Sequence, residues 1–327
     1  MKMAKPDLPS PTFHLPILIT GPTATGKSEI ALLLAEQLGG EIISADSMQV
    51  YRGLDIGTAK PSPADRVRVP HHLIDICDLT ESFDAAQFAR LAHHAAAEIQ
   101  SRRRVPVLCG GTGLYIKAFL EGLSEAPSAD AKLRAELEAV PLEELLAELR
   151  ERDPAAYEKI DRQNPRRVIR AVEVIRLTGK LFSKQRTDWN ALPASSPEGP
   201  KLEVPARCRN HVFCFTRSSD DLRIRINARV DAMFARGLVD ETGELLKHGL
   251  AENKTAMQAI GYRQVVEHLR GERSLAETIE RVKIRTRQFA KRQLTWFRAQ
   301  KNLEWLELKP DDSPEKWLPE ISRAIRK

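Results

Sequence analysis

The octet Gly21-Pro22-Thr23-Ala24-Thr25-Gly26-Lys27-Ser28 has the residue types that hold a phosphate group. Gly21 and Gly26 let backbone N–H groups turn inward, and a helix beginning at Lys27 adds a partial positive charge. Lys27 adds a full one, and the Ser28 hydroxyl can hold Mg²⁺. A glycine-rich turn that merely joins a strand to a helix explains Gly21 and Gly26 but not Lys27 and Ser28, so the pattern points to a bound phosphate ester. It does not say which ester, or which bond breaks. Asp46 closes a second apolar run, and a carboxylate there can ligate Mg²⁺ or act as a general base toward a nucleophile approaching the ester; a turn or N-cap aspartate is the structural alternative. In Gly110-Gly111-Thr112-Gly113, Thr112 either hydrogen-bonds a substrate or caps the helix that follows. Arg225 and Arg229, four apart, share one helical flank and can converge on a single anion.

These groups need a scaffold that brings them to one edge. Residues 15–20 read as a strand, 27–38 as a helix, 41–45 as a second strand, 84–102 as a crossover helix and 105–109 as a third strand. That grammar predicts an α/β fold: a P-loop NTPase-like parallel sheet flanked by helices, with its ligand at the carboxyl ends of the strands. After residue 124 the pattern turns helical, over 129–139, 141–152 and from Asn164, where Asn164 caps, Pro165 occupies the first turn and Gly179 stops the helix. Residues 125–205 are therefore predicted to be an all-helical insertion, with 192–205 a loop returning to a core strand at 212–215. The core domain is expected over 12–124 and 206–310, with 1–11 and 311–327 as terminal extensions. A helix over 219–236 turns Leu222, Ile226, Val230 and Met233 inward and ends at Gly237. The last long helix opens with a Ser274/Glu277 capping box and is expected to bury Ile279, Val282, Phe289 and Trp296.

A chain of 327 residues, 42% hydrophobic, can bury such a core. The cysteines Cys77, Cys109, Cys208 and Cys214 form no CxxC pair, and neither an export signal nor a membrane-length apolar run is present, so a soluble cytoplasmic protein with reduced thiols is expected. The net charge of +6 is mild, but its distribution is not. Eight basic side chains between Arg162 and Arg186 face one acid, Glu173, and eight between Arg281 and Lys301 face none. Such stretches fit a nucleic-acid backbone better than a small metabolite. The pairs His71-His72 and His93-His94 diverge on either a strand or a helix and do not read as metal sites.

Taken with ISADSMQVY ending at Tyr51, DIGTAKP at Asp55–Pro61, HHLID at His71–Asp75, GGTGLY at Gly110–Tyr115, IGYRQ at Ile260–Gln264 and AKRQLTWFR at Ala290–Arg298, the octet resembles the bacterial tRNA dimethylallyltransferase family, the IPP transferases, in order over nearly the whole chain. Thr25 and Ser28 depart from the commoner serine and threonine but keep a hydroxyl, and the cysteine spacing leads one to expect no zinc-finger extension of the eukaryotic kind. The resemblance implies transfer of a dimethylallyl group from dimethylallyl diphosphate to the exocyclic amine of the adenosine 3′ of the anticodon, in tRNAs reading codons that begin with U. The phosphate loop, Gly21 to Ser28, would then stabilise a departing diphosphate rather than a phosphoryl in flight. Lys27, with Mg²⁺ at Ser28 and Arg225 or Arg229, would neutralise its charge; Asp46 would be the catalytic base, and Thr23 and Thr112 would touch substrates.

By the same resemblance Asp46, Ser47, Met48, Gln49 and Thr112 would meet the target base. Arg134, the run Gln163, Asn164, Pro165, Arg166 and Arg167, and the run Gln258, Ala259, Ile260, Gly261, Tyr262 and Arg263 would contact the tRNA anticodon stem-loop. A monomer without membrane association is expected. Other readings of the same residues are a P-loop kinase, prenyl transfer to a free adenine nucleotide, and a tRNA-binding protein with a vestigial loop. Trp296 and Phe297 offer a base-stacking platform or, for Trp296 at least, core packing.

Overall fold

Short apolar, β-branched runs build the centre of an α/β architecture. In the computed structural model, which describes residues 16–122, 127, 130–184 and 211–325, β1 (Ile17–Thr20) and β2 (Glu41–Ser44) are buried throughout, as continuous burial on both faces requires of a parallel sheet. Helix α1 (Lys27–Leu38) follows β1, and α2 (Pro63–Arg68) precedes β3 (His71–His72). Then come α3 (Ala85–Ser101), β4 (Pro106–Gly110) and α4 (Gly113–Glu121). A helical stretch follows, α5 (Ala131–Ala139), α6 (Leu142–Arg152), α7 (Pro154–Lys159) and α8 (Pro165–Thr178). The chain continues through β5 (Val212–Thr216), α9 (Ser219–Ala235), α10 (Leu238–Lys247), α11 (Tyr262–Leu269), α12 (Leu275–Arg298), β6 (Glu304–Glu307) and α13 (Leu318–Ile325).

The chain divides into two compact units, residues 1–119 with 196–327, and residues 120–195. The first holds a six-stranded sheet of order β3-β2-β4-β1-β5-β6, parallel at every pairing. Because β2, β4, β1 and β5 are neighbours running the same way, the segments leaving their carboxyl ends emerge along one edge. Those segments carry Asp46, Thr112, the phosphate loop and Arg217. The residues around Ile30 and Leu34 of α1 pack on Ile19, Val107, Phe213 and Phe215, and the same cluster includes Trp317 and Ile321. The segment from 314 to 325 is thus part of the core, which corrects the expectation of a terminal extension at 311–327. The inward stripe Leu222, Ile226, Val230 and Met233 of α9 is as expected, and Leu222, Ile226 and Val230 pack with Val282 and Ala290 of α12. On α12 the fully buried aromatic is Phe297, while Trp296 is only half-buried, the reverse of the expected order.

The second unit has its own core, centred on Leu137, Leu145, Leu149, Val168 and Val172. Asn164 accepts the Arg167 N–H and Gly179 closes α8 in a left-handed conformation. The sequence gap before α8 hides α7, which Asp153 caps by accepting the Ala156 N–H. The loop expected at 192–205, with Cys208, lies outside the described residues.

Candidate active site

The octet folds as a phosphate loop because its backbone is held open from three sides. Gly21 has φ 138° and lies so close to β5 that a Cβ would sit 2.2 Å from the Phe215 carbonyl oxygen, so no side chain fits there. The Thr25 hydroxyl donates to the Pro22 carbonyl at 3.0 Å, and Lys27 Nζ donates to the same oxygen at 3.1 Å. Arg217, which sequence reasoning missed, donates from Nε to the Thr25 carbonyl at 2.8 Å and is neutralised by Asp221 at 2.8 Å. Arg225 Nε donates to the Ala24 carbonyl at 2.9 Å, and Arg229 Nη1 to the Thr23 hydroxyl at 3.3 Å. Arg225 and Arg229 of α9 therefore both reach the loop.

The charge balance of this corner is one-sided. Lys27, Arg225 and Arg229 bond to carbonyls and a hydroxyl, and none has an ion-pair partner among the described residues. Burial, with Arg229 nearby, pulls Lys27 below the usual lysine range, and burial does the same to Arg229, opposed by the charge of Asp46. Burial pushes the Cys109 thiol up to about 11 and Cys214 to about 12, so both stay neutral and supply no counter-charge. Half-buried cations without an ion-pair partner among the described residues attract an anion, and a polyanion fits three of them.

Asp46 and Thr112 meet beside the loop. Asp46 Oδ1 accepts the Met48 N–H at 2.9 Å, a local turn that leaves the second carboxylate oxygen for other work. The Thr112 hydroxyl accepts the Ser47 N–H at 3.2 Å rather than capping α4. A cavity of about 820 Å³ takes in the phosphate loop, Asp46, Thr112 and an apolar wall of Val230, Met233, Ile260, Val282 and Phe289. Gln293 and Arg292 of α12 also line it and were not foreseen. Gln49 lies on the same cavity with both ends of its amide engaged: Ser44 Oγ donates to its Oε1 at 2.9 Å, and its Nε2 donates to the Thr58 carbonyl at 3.2 Å.

Of the residues expected on tRNA, Gln163, Pro165, Arg166 and Arg167 lie exposed at the start of α8, with Asn164 half-buried as the cap. Arg134 is half-buried and pairs at 2.6 Å with Glu173, a fully buried carboxylate that Arg170 also holds. Gln258, Ala259 and Ile260 line the cavity, and Arg263 is exposed. Gly261 and Tyr262 are buried. The Tyr262 hydroxyl accepts the Gly57 N–H at 3.0 Å and donates to Glu241 at 2.5 Å. A side chain wholly enclosed in this way positions the 56–59 turn, which corrects the expectation that it touches tRNA directly. His71 faces the cavity and His72 bonds the buried Glu41 at 2.7 Å; His93 stacks on Phe119.

Oxygen donors suited to Mg²⁺, the Ser28 hydroxyl and the Asp46 carboxylate, border the cavity. Among the described residues no group of three or more His, Cys, Asp or Glu side chains forms a metal cage. That donor set fits a Mg²⁺ that relies on substrate phosphates and water for most of its ligands. No helix of the described residues is long and apolar enough to cross a membrane.

The sequence model of the IPP transferase family matches residues 49–300. The chain is 46% identical over 295 residues to a tRNA dimethylallyltransferase of Geobacter sulfurreducens, covering 89% of this chain and 91% of that one. It is 49% identical over 292 residues to one of Halorhodospira halophila, covering 87% and 90%. Among solved structures it resembles the tRNA isopentenylpyrophosphate transferase of Bacillus halodurans at 39% identity and a TM-score of 0.66, covering 95% of this chain and 96% of the other. It also resembles a eukaryotic dimethylallyltransferase acting on tRNA, at 26% identity and a TM-score of 0.73, covering 94% and 77%.

Proposed function

This chain belongs to the IPP transferase family, and from that premise we propose that it is a tRNA dimethylallyltransferase, moving the dimethylallyl group of dimethylallyl diphosphate to the exocyclic amine of the adenosine 3′ of the anticodon. The observation that carries this reading is the set of cations, Lys27, Arg225 and Arg229, gathered on the phosphate loop beside Asp46 and Thr112 without an ion-pair partner among the described residues. In the reaction the allylic carbon–oxygen bond breaks, its electron pair leaves with the diphosphate, and the adenine nitrogen forms the new bond to carbon. Negative charge grows on the leaving group as this happens, and cations gathered at the loop lower the barrier by stabilising it. The amine must lose a proton, which the free oxygen of Asp46 accepts.

The apolar wall of Val230, Met233 and Val282 suits the hydrocarbon half of the donor. Ser28 would hold Mg²⁺, whose contribution is to neutralise part of the diphosphate charge. A base inside a stacked loop cannot reach such a cavity, so the adenosine must swing out of its stack. Exposed Gln163, Arg166, Arg167 and Arg263 would meet the stem-loop backbone, with affinity that weakens as salt rises. The setting this implies is a cytoplasmic monomer acting on tRNAs that read codons beginning with U.

A mass-resolved assay with Mg²⁺, dimethylallyl diphosphate and an unmodified anticodon stem-loop, run beside AMP as acceptor and ATP as donor, tests the reading. A prenyl adduct on the loop adenosine alone is expected. An adduct on AMP would move the protein to the free-nucleotide class, and phosphate transfer from ATP without prenylation would make it a kinase.

A further inference from the structure

Helix α12 presses two side chains, one turn apart, onto the glycine-rich segment after β4. A Cβ at Gly111 would lie 2.4 Å from Gln293 Nε2, and a Cβ at Gly113 would lie 2.4 Å from the Trp296 indole. Those glycines are therefore needed for the approach of α12 rather than for a second phosphate cradle. Gln293 uses both ends of its amide there. Its Oε1 accepts the Thr23 N–H of the phosphate loop at 2.9 Å, and its Nε2 donates to the Gly111 carbonyl at 2.9 Å. One buried side chain thus joins two loops that are 182 and 270 residues away in sequence.

We propose that Gln293 is a positioning residue that holds the phosphate loop and the Thr112 loop in fixed relation, and so sets the distance between the leaving group and the attacking amine. The inference rests on the proposed prenyl transfer. Its physical basis is chemical as well as geometric: the amide offers an acceptor to Thr23 and a donor to Gly111 from two separate atoms at once. An aliphatic side chain of equal size fills the space and leaves the Thr23 N–H unpaired, which frees that peptide to turn. Misplacing reacting groups by about 1 Å lowers turnover by roughly 10²-fold.

The test uses the full chain with Gln293→Met. Expected are a roughly 10²-fold fall in kcat with stem-loop affinity unchanged, and a double-mutant cycle in which Thr112→Ala loses much less in the Gln293→Met background than in the wild type, the non-additivity of groups acting as a unit. Weaker binding of inorganic diphosphate, measured by calorimetry, is the readout independent of turnover. Wild-type kcat in Gln293→Met, or losses that simply multiply, would overturn the proposal. Should Gln293→Met fail to fold, Gln293→Glu keeps an acceptor for Thr23 and replaces the donor to Gly111 with a charged acceptor that repels its carbonyl; a kcat equal to wild type there would overturn it as well. If the wild type binds diphosphate but prenylates nothing, the functional reading fails, and the diphosphate comparison alone decides the clamp.

Discussion

Replacing Asp46 by asparagine separates the two things this side chain does. Its Oδ1 accepts the Met48 N–H at 2.9 Å, and the asparagine carbonyl can occupy the same place, so the turn survives. A neutral acceptor in place of a charged one weakens that bond by about 1 kcal/mol, a fall in Tm of about 2–4 °C for a unit of this size. The second oxygen becomes an amide that cannot take a proton. Removing a general base lowers turnover by roughly 10²–10⁴-fold, or about 3–5 kcal/mol of barrier. Single-turnover prenylation of a stem-loop, with KM for dimethylallyl diphosphate and stem-loop affinity measured separately, should show the loss in the chemical step and nearly wild-type tRNA binding. Asp46→Ala should lose the same factor in turnover and more in Tm, because Met48 then has no partner. Retention by Asp46→Asn of more than about a tenth of wild-type kcat, where a lost base leaves a hundredth or less, would refute the assignment. Recovery of kcat at high Mg²⁺ would move Asp46 from base to metal ligand.

Arg229→Gln should raise KM for dimethylallyl diphosphate by roughly 10–100-fold, the worth of one charged hydrogen bond; equal effects on stem-loop affinity would contradict the placement. Tyr262→Phe leaves the Gly57 N–H unpaired and removes the bond to Glu241, so a loss of about 2–3 kcal/mol is expected in urea unfolding, and an unchanged midpoint would show that water replaces the hydroxyl. Lys60, almost fully enclosed, bonds Asp55, Asp75 and the Tyr51 carbonyl. Because Asp75 is about a third open, Lys60→Met should cost about 2 kcal/mol rather than the 3–5 of a fully buried pair. Burial pushes Asp75 upward, but hydrogen bonds from Lys60 and Arg66 outweigh it and hold the carboxyl below its ordinary range. The stability it adds is complete above about pH 4 and disappears as pH falls through the lowered value, so the deficit of Lys60→Met should shrink in acid. A deficit independent of pH would locate the effect elsewhere.

The parts of the site that lie on one continuous stretch were legible in the residues. The strand, octet and helix at 17–38 follow from local composition, as do the caps at Asn164 and Ser274. What escaped depends on partners far away in sequence. Arg217 reads as one basic residue among many until the Thr25 carbonyl, 192 positions earlier, is seen to need it. Gln293 reads as a surface residue in a basic helix, because a polar side chain on an inward face leaves no mark in the hydrophobic pattern. Tyr262 sits in a block shared with tRNA-modifying relatives, yet its hydroxyl answers a backbone N–H 205 positions away. Strand β6 has one buried side chain in four; its place comes from backbone pairing with β5, which no side-chain periodicity records. The chain end at 314–325 was passed over for a related reason, since Trp317 and Ile321 find their cavity only against α1 and β5.

The phosphate loop itself explains why one architecture serves bond breaking at carbon as readily as at phosphorus. A phosphoryl in flight needs donors on both its attacking and leaving sides, whereas a diphosphate that leaves intact needs them on one side only. Here the cations on the loop without an ion-pair partner among the described residues are Lys27 from α1 and Arg225 and Arg229 from one flank of α9, while Arg217, paired with Asp221, braces the loop backbone. Asp46, just after β2, and Thr112, just after β4, line the same cavity, where a nucleophile and its proton must be handled. Apolar side chains, Val230, Met233 and Val282 among them, share that lining, which is what a five-carbon group in transit requires. The asymmetry has its own consequence for stability. Three cations without an ion-pair partner among the described residues repel one another, and burial, only partly opposed by the charge of Asp46, draws Lys27 and Arg229 below their ordinary ranges. The free energy withheld from the unliganded fold is returned when the polyanion arrives, so the same charges that strain the resting site supply its selectivity for diphosphate.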